Sequence, residues 1–192
     1  MAALILVVVG KTAGQRVALA VYGGTLVNMF GTSGAYHRLV WSPRAQPWIK
    51  ALDHSAIYLL IAGTNTPVAA LALDGPTRVV VLAGIWACTA VLVALRVTRI
   101  QGLEALFGAM YVVLGWAALP VLPQLWRSLP SASFWLIIAG GLLYTGGALV
   151  LRRNKPNPVP EVFGYHEVWH VAMTTGALCH YLAILFLTLS LR

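Results

Sequence analysis

The length of the apolar segments is the feature that most limits how this chain can fold. Six of them are long enough to cross a lipid bilayer, which takes roughly 17–25 residues in a helix. They are Val17–Tyr36, Leu52–Leu73, Val79–Leu95, Ala105–Leu122, Ser133–Leu151 and Tyr165–Leu191. A seventh segment, Ala2–Val9, is apolar but only about half the necessary length. We therefore predict an all-α fold, a polytopic membrane helix bundle of the seven-span type with a shortened first span. Residues 1–192 would form a single membrane domain.

The composition excludes an ordinary soluble domain. The chain is 59% hydrophobic and 9% charged, and its mean hydropathy is +0.81, which is far from the balance of a soluble protein. Its net charge of +8 does not indicate nucleic-acid binding, because the basic residues are scattered between apolar segments without a basic patch. In a membrane protein such residues belong to the loops, where they set orientation.

The distribution of basic residues predicts which side of the membrane each loop faces. Eight of the 13 basic residues follow the second, fourth and sixth segments when Ala2–Val9 is counted as the first: Arg38, Arg44, Lys50, Arg96, Arg99, Arg152, Arg153 and Lys155. The other five are Lys11, Arg16, Arg78, Arg127 and Arg192. The side richer in lysine and arginine is normally cytoplasmic. We therefore expect a multi-pass protein of the plasma (inner) membrane with its C-terminus outside.

This orientation collects four polar groups at one membrane face. His37 ends one long segment, Asp53 begins the next, and His166 and His170 begin the last. All four would lie at a similar depth in the inner leaflet. His166 and His170 are also four residues apart, so a helix stacks them on one face about 6 Å apart along its axis, a spacing that suits one metal ion.

Three imidazoles at one depth predict a zinc site. His37, His166 and His170 with a water would form the open tetrahedral arrangement of catalytic zinc, whereas structural zinc usually has four protein ligands. Asp53 could orient the zinc-bound water or accept its proton. Ser33 lies four residues before His37 on the same helical face and could hydrogen-bond a ligand, the water or a substrate oxygen. The alternative is that these histidines are ordinary interfacial residues, but ionisable groups within spans are costly and usually functional.

The string His166-Glu-Val-Trp-His170 also matches the zincin pattern H-E-x-x-H, in which the glutamate is a general base. We favour a simpler role for Glu167, a favourable interaction with the helix dipole, because Asp53 competes for the catalytic task. His54 projects about 100° away from Asp53 and is expected to face a neighbour or the headgroups. His180 lies about 15 Å deeper than His170, so we expect it to make a hydrogen bond inside the bundle.

Three blocks of sequence together resemble one family. Ser33-Gly-Ala-Tyr-His37, the stretch from Leu52-Asp53-His54-Ser55 to Thr64, and His166-Glu-Val-Trp-His170 look like the hemolysin III family, the bacterial branch of the progestin and adipoQ receptor family. The resemblance extends from the second segment to the last. It implies a seven-span bundle with a cytoplasmic-side zinc held by residues matching His37, His166 and His170, and an aspartate matching Asp53 in contact with the zinc-bound water. That family usually begins with a Glu-containing motif and a full first span, and both are missing here.

The resemblance implies several functions. The wider superfamily includes ceramidases, which implies a zinc-dependent hydrolase acting on lipid amides or esters. The hemolysin name implies membrane permeabilisation instead, although no segment carries a polar stripe long enough to line a channel. An intramembrane H-E-x-x-H protease and a non-enzymatic receptor or membrane-homeostasis regulator with zinc are further alternatives. The expected partners are membrane lipids and a lipid-like substrate, with no nucleic acid; the chain does not indicate an oligomeric state.

Overall fold

The computed structural model describes residues 1–98, 100 and 102–191. Two of the basic residues counted above, Arg99 and Arg192, therefore lie outside the described residues. The described part of the chain is all-α, as predicted, and consists of eight α-helices and one 3₁₀ helix. They are α1 (Ala2–Val9), α2 (Ala13–Arg38), α3 (Gln46–Ala72), α4 (Gly75–Val97), α5 (Glu104–Gly115), the 3₁₀ helix (Leu119–Val121), α6 (Leu122–Ser128), α7 (Ser131–Arg153) and α8 (Tyr165–Ser190).

The helices have the length and composition of a membrane protein. Within the described residues, five helical stretches are long and apolar enough to cross a bilayer: α3, α4, the stretch Glu104–Ser128, α7 and α8. The predicted helical membrane bundle is thus confirmed. Helix α2 has 26 residues but is not among the five, because its second half is rich in glycine, serine, threonine and asparagine. The count of seven spans stays a prediction.

Helices α2, α3 and α4 begin four to six residues before the apolar segments that predict them, and one predicted segment is interrupted. The predicted segment Ala105–Leu122 does not form one uninterrupted helix: α5 ends at Gly115, and a turn and the 3₁₀ helix separate it from α6. Pro120 lies in the 3₁₀ helix and Pro123 is the second residue of α6. Proline lacks an N–H donor and its ring clashes with the preceding turn, so a regular helix cannot run through this stretch without distortion.

The chain divides into two compact units, Met1–Gln124 and Leu125–Arg192. Helices α1 to α5 belong to the first unit, and α7 and α8 belong to the second. The prediction of a single domain stays a prediction.

Helix α3 is the centre of the first unit, where it contacts α2, α4 and α5. In its most apolar stretch 67% of the residues are buried, against 17% in α4. Gly63 lets α2 approach closely, because a Cβ at this position would overlap the side chain of Thr25. The polar side chains of α3 therefore lie mostly among other residues of the protein, whereas most side chains of α4 are exposed on its surface.

The second unit is a pair of tightly packed helices. Gly140 of α7 faces the ring of His180, where a Cβ would be 2.5 Å from the imidazole. Gly176 of α8 faces Tyr144 in the same way, at 2.8 Å. Each helix thus offers a glycine to an aromatic ring of the other, which allows the close backbone approach typical of membrane helices.

Candidate metal centre

The start of α8 brings two imidazoles together. His166 and His170 lie one helical turn apart, and their ring centroids are 4.6 Å from each other with the rings at 85°. Both side chains are half-buried. Two nitrogens bound to one tetrahedral zinc lie about 3.3 Å apart, given Zn–N bonds of about 2.0–2.1 Å. The separation of the rings is therefore compatible with two ligands of a single ion.

The side chain of Glu167 caps the start of α8. Its Oε2 accepts a hydrogen bond from the backbone N–H of Gly164 at 2.9 Å, and its Oε1 is 3.9 Å from His166 Nδ1. A carboxylate three residues into a helix often reaches back in this way and satisfies an N–H that has no partner in the helix. This contact agrees with the electrostatic role that we favoured for Glu167 and supplies nothing toward a general-base role.

A second residue also fixes this end of α8. The side-chain oxygen of Asn157 accepts a hydrogen bond from the backbone N–H of Tyr165 at 2.8 Å. The sequence shows that a turn precedes α8, but no local signal singles out Asn157, because it lies eight residues before its partner. Asn157 and Glu167 together hold the backbone from which His166 projects.

His37 lies in the last turn of α2. Its side chain is exposed, and its ring packs edge-on against Tyr36 with the centroids 4.7 Å apart. Ser33, one turn earlier, is half-buried. The chain folds back beyond the helix, where Trp41 Nε1 donates to the carbonyl of Ala35 at 3.0 Å.

Asp53 is buried on α3, with 6% of its surface exposed. The contact of Gly63 with Thr25 shows which residues of α2 lie beside Asp53, because consecutive helices joined by a short loop run antiparallel. Moving about 15 Å along α3 from Gly63 to Asp53 corresponds to moving from Thr25 to Ala35 on α2. The carboxylate therefore lies at the level of the turn that carries Ser33 and His37.

The other two histidines point elsewhere, as predicted. Arg96 of α4 donates to His54 Nδ1, and the carbonyl of His54 accepts from the hydroxyl of Tyr111 on α5 at 3.3 Å. His180 is at hydrogen-bond distance, 3.2 Å, from the carbonyl of Ile137 on α7. Of the two alternatives expected for His54, a neighbour or the headgroups, the first is observed, and the hydrogen bond expected for His180 inside the bundle is confirmed.

The predicted site residues divide between the two compact units. Ser33, His37 and Asp53 belong to the first, and His166 and His170 to the second. Each histidine offers one ring nitrogen as a metal ligand, and neutral imidazole nitrogen is a common ligand of zinc. The donor set therefore fits zinc in kind, and the predicted three-histidine site stays a prediction.

Comparison with known proteins identifies relatives over nearly the whole chain. Residues 1–181 match the family described as "Haemolysin-III related". The chain is 31% identical over 178 residues to "Hemolysin-3" of Bacillus cereus, which covers 93% of this chain and 78% of that protein. It is 26% identical over 170 residues to "Hemolysin-3 homolog" of Bacillus subtilis (strain 168), with 88% and 76% covered.

Proposed function

The chain belongs to the haemolysin-III-related family of membrane proteins, and we propose that it is a zinc-dependent hydrolase of lipid amides or esters. Its zinc ligands would be His37, His166 and His170. The observation that carries the proposal is the start of α8, where two imidazoles meet at 4.6 Å between ring centroids. Glu167 caps the helix there, so in this proposal His166 and His170 are metal ligands and Glu167 is not the general base.

The predicted topology supplies the third ligand. His37 ends α2 and the histidine pair begins α8, and the charge pattern assigns both places to the cytoplasmic face of the plasma membrane. The C-terminus would then be outside. A helix end at the membrane interface is within reach of the ester or amide groups of lipids, which lie between the headgroups and the acyl chains.

We propose roles for the chain's own polar groups from their position and burial. Zinc, when bound, supplies Lewis acidity that polarises a carbonyl and makes a water acidic near neutral pH. Asp53 is buried, and its carboxylate would accept the proton that an attacking water loses. Ser33 is half-buried at the same level of the first unit and can donate a hydrogen bond to a substrate oxygen. We propose these two as the catalytic residues.

A second candidate function comes from the names of the relatives. Two related proteins are called "Hemolysin-3" and "Hemolysin-3 homolog", which favours membrane permeabilisation. The described part of α4 and α7 presents mostly apolar side chains to its surroundings, as a lipid-facing surface does and a water-filled channel does not. A non-enzymatic receptor or regulator with bound zinc is the remaining alternative.

The test combines metal analysis with lipid hydrolysis. Gently purified protein should contain about one zinc per chain and release it at acid pH, because histidine binds metal only when neutral. The same protein should hydrolyse a member of a panel of ceramides, acyl esters and phospholipids. Protein that neither contains nor takes up zinc would disprove the metal site. Zinc-loaded protein that hydrolyses no lipid but releases dye from vesicles would instead favour permeabilisation.

A further inference from the structure

A cluster around Arg96 in the first unit is not explained by the metal site. Arg96 is half-buried in the last turn of α4. Its guanidinium donates to His54 Nδ1 on α3 and lies over the ring of Phe107 on α5, with 4.5 Å between the guanidinium carbon and the ring centroid. Tyr111 of α5 donates to the carbonyl of His54. The charge of Arg96 is thus held where three helices meet.

The described residues balance the local charge only in part: the carboxylate of Asp53 also acts on Tyr111, beside the cation of Arg96. Arg96 makes no ion pair with a described carboxylate, and its Nε is buried without a hydrogen-bond acceptor. Lys50, one turn before His54 on α3, is exposed and adds a second cation whose charge acts on His54. A buried donor without an acceptor is costly, and a guanidinium has no acceptor of its own to offer. The remaining positive charge and the unused donors of the cluster therefore suit an anion with several acceptor oxygens.

The hydrogen bonds define what such an anion would meet. Because Arg96 can only donate, the Nδ1 of His54 is the acceptor, and in a neutral ring the Nε2 then carries the hydrogen. The cluster accordingly offers the guanidinium of Arg96, the N–H of His54 and the ammonium of Lys50. The oxygens of a phosphate can accept hydrogen bonds from all three groups. Arginine is especially suited to phosphate because its donors lie in one plane.

The position of the cluster along the helices selects the source of the phosphate. Arg96 is in the last turn of α4, which is one of the five stretches long and apolar enough to cross a bilayer, and Lys50 and His54 are in the first turns of α3. The ends of spanning helices lie at the level of the lipid headgroups, where basic groups between helices bind anionic lipids. A free arginine at this level would extend into water. Here the side chain is instead held against Phe107.

We propose that Lys50, His54 and Arg96 form a binding site for the phosphate of a membrane phospholipid. This site is distinct from the histidines proposed to bind zinc, and it does not depend on hydrolysis. It would attach the ends of α3 and α4 to the headgroup region, next to the turn of α3 that carries Asp53.

Native mass spectrometry of the whole protein in detergent tests the site, with dioleoylphosphatidylglycerol and dioleoylglycerol as probes. The two lipids share their acyl chains, and only the first carries a phosphoglycerol headgroup. The protein should retain the phospholipid at least about tenfold more tightly, as expected for charge-assisted hydrogen bonds. Arg96→Gln should remove most of this preference, and Arg96→Lys, which keeps the charge but not the planar donors, should retain part of it. Equal retention of both lipids by the unmodified protein would disprove the site.

Matched variants separate the site from general electrostatics. Arg44→Gln removes an exposed arginine from the loop between α2 and α3 and should change phospholipid affinity by no more than about twofold. If Arg96→Gln fails to fold, Lys50→Gln is the second variant and should weaken binding by roughly fivefold, the value of one basic residue at a lipid surface. An effect of Lys50→Gln no larger than that of Arg44→Gln would contradict the proposal. Displacement of the lipid by water-soluble glycerol phosphate at low concentration would assign the site to a soluble phosphate ester instead.

Discussion

The starts of α3 and α8 each position a residue of the candidate site, but by different means. At α8 the backbone is fixed locally, since Gly164 and Tyr165 donate to Glu167 and Asn157. At α3 the capping residue, Ala45, makes no side-chain hydrogen bond to the helix. Packing fixes this part of α3 instead. Gly63 lies against Thr25 of α2, and residues of α4 and α5 donate hydrogen bonds to His54.

This difference predicts how each end responds to mutation. The pairing of His166 with His170 depends on helix periodicity and short-range caps, so distant changes should leave it intact. The level of Asp53 depends on contacts with residues that are far away in the sequence. Changes in α2, α4 or α5 should therefore affect catalysis before they affect the histidine pair.

Removing a histidine of the pair should have the largest effect. His170→Ala should reduce the zinc content from about one per chain to almost none, because a metal ligand is lost. His180→Ala is the matched control, since His180 contacts Ile137 and not the pair, and it should retain zinc. Metal content after dialysis against saturating zinc measures both. Full zinc occupancy in His170→Ala would show that the pair at α8 does not bind the ion.

The second-largest effect distinguishes the proposed role of Asp53 from that of Glu167. Asp53→Ala should reduce lipid hydrolysis by at least about 100-fold, the usual contribution of a positioned acid or base. Its zinc site should still fill at saturating zinc, because losses next to a ligand weaken metal binding by about 10–100-fold. Glu167→Gln should be mild, because a glutamine side chain can still accept from Gly164.

One lipid amidase or esterase assay compares these variants directly. If Glu167→Gln abolishes activity and Asp53→Ala does not, the roles assigned here are wrong and a zincin-like mechanism is favoured. The comparison is made at saturating zinc so that a change in metal affinity is not mistaken for a change in catalysis.

The sequence predicts the helices well because apolar length is a local property. The ends of α7 and α8 follow the apolar segments closely, and the pairing of His166 with His170 follows from helix periodicity alone. The exception is the segment Ala105–Leu122, where apolar length alone predicts one continuous helix, whereas α5 ends at Gly115. Hydropathy counts apolar residues and is insensitive to the backbone effects of a glycine and two prolines.

The partners of polar side chains could be predicted only in part. That His54 faces a neighbour follows from its angle to Asp53, but the identity of the neighbour, Arg96, does not, because it depends on how α4 packs against α3. The roles of Thr25 and Asn157 were missed for the same reason. Each is a small polar residue whose importance comes from a contact made by the fold, without a sequence pattern of its own.

A moderate effect is expected at the close contact of α2 with α3. Gly63→Ala places a methyl group against Thr25, and forcing atoms into a packed interface costs about 1–3 kcal/mol. Thermal unfolding in detergent should shift to lower temperature, and hydrolysis should fall because Asp53 moves relative to α2. Gly84→Ala on α4 is the control, because nothing lies within 4 Å of a Cβ there. Equal melting temperatures for the two variants would show that this contact does not determine the position of α3 along α2.

The smallest effect is expected at the local cap of α8. Asn157→Ala removes the acceptor for the N–H of Tyr165, and the loss of one hydrogen bond costs about 1 kcal/mol. Because Glu167 still accepts from Gly164, the helix should fray only in its first turn. Hydrogen exchange at the Tyr165 amide should become faster, and zinc should bind more weakly by less than about tenfold. Asn157→Asp keeps an acceptor and places a negative charge near the helix start, so it should restore slow exchange. If Asn157→Ala instead removes zinc as completely as His170→Ala does, the start of α8 is not fixed redundantly, and the contrast with α3 is lost.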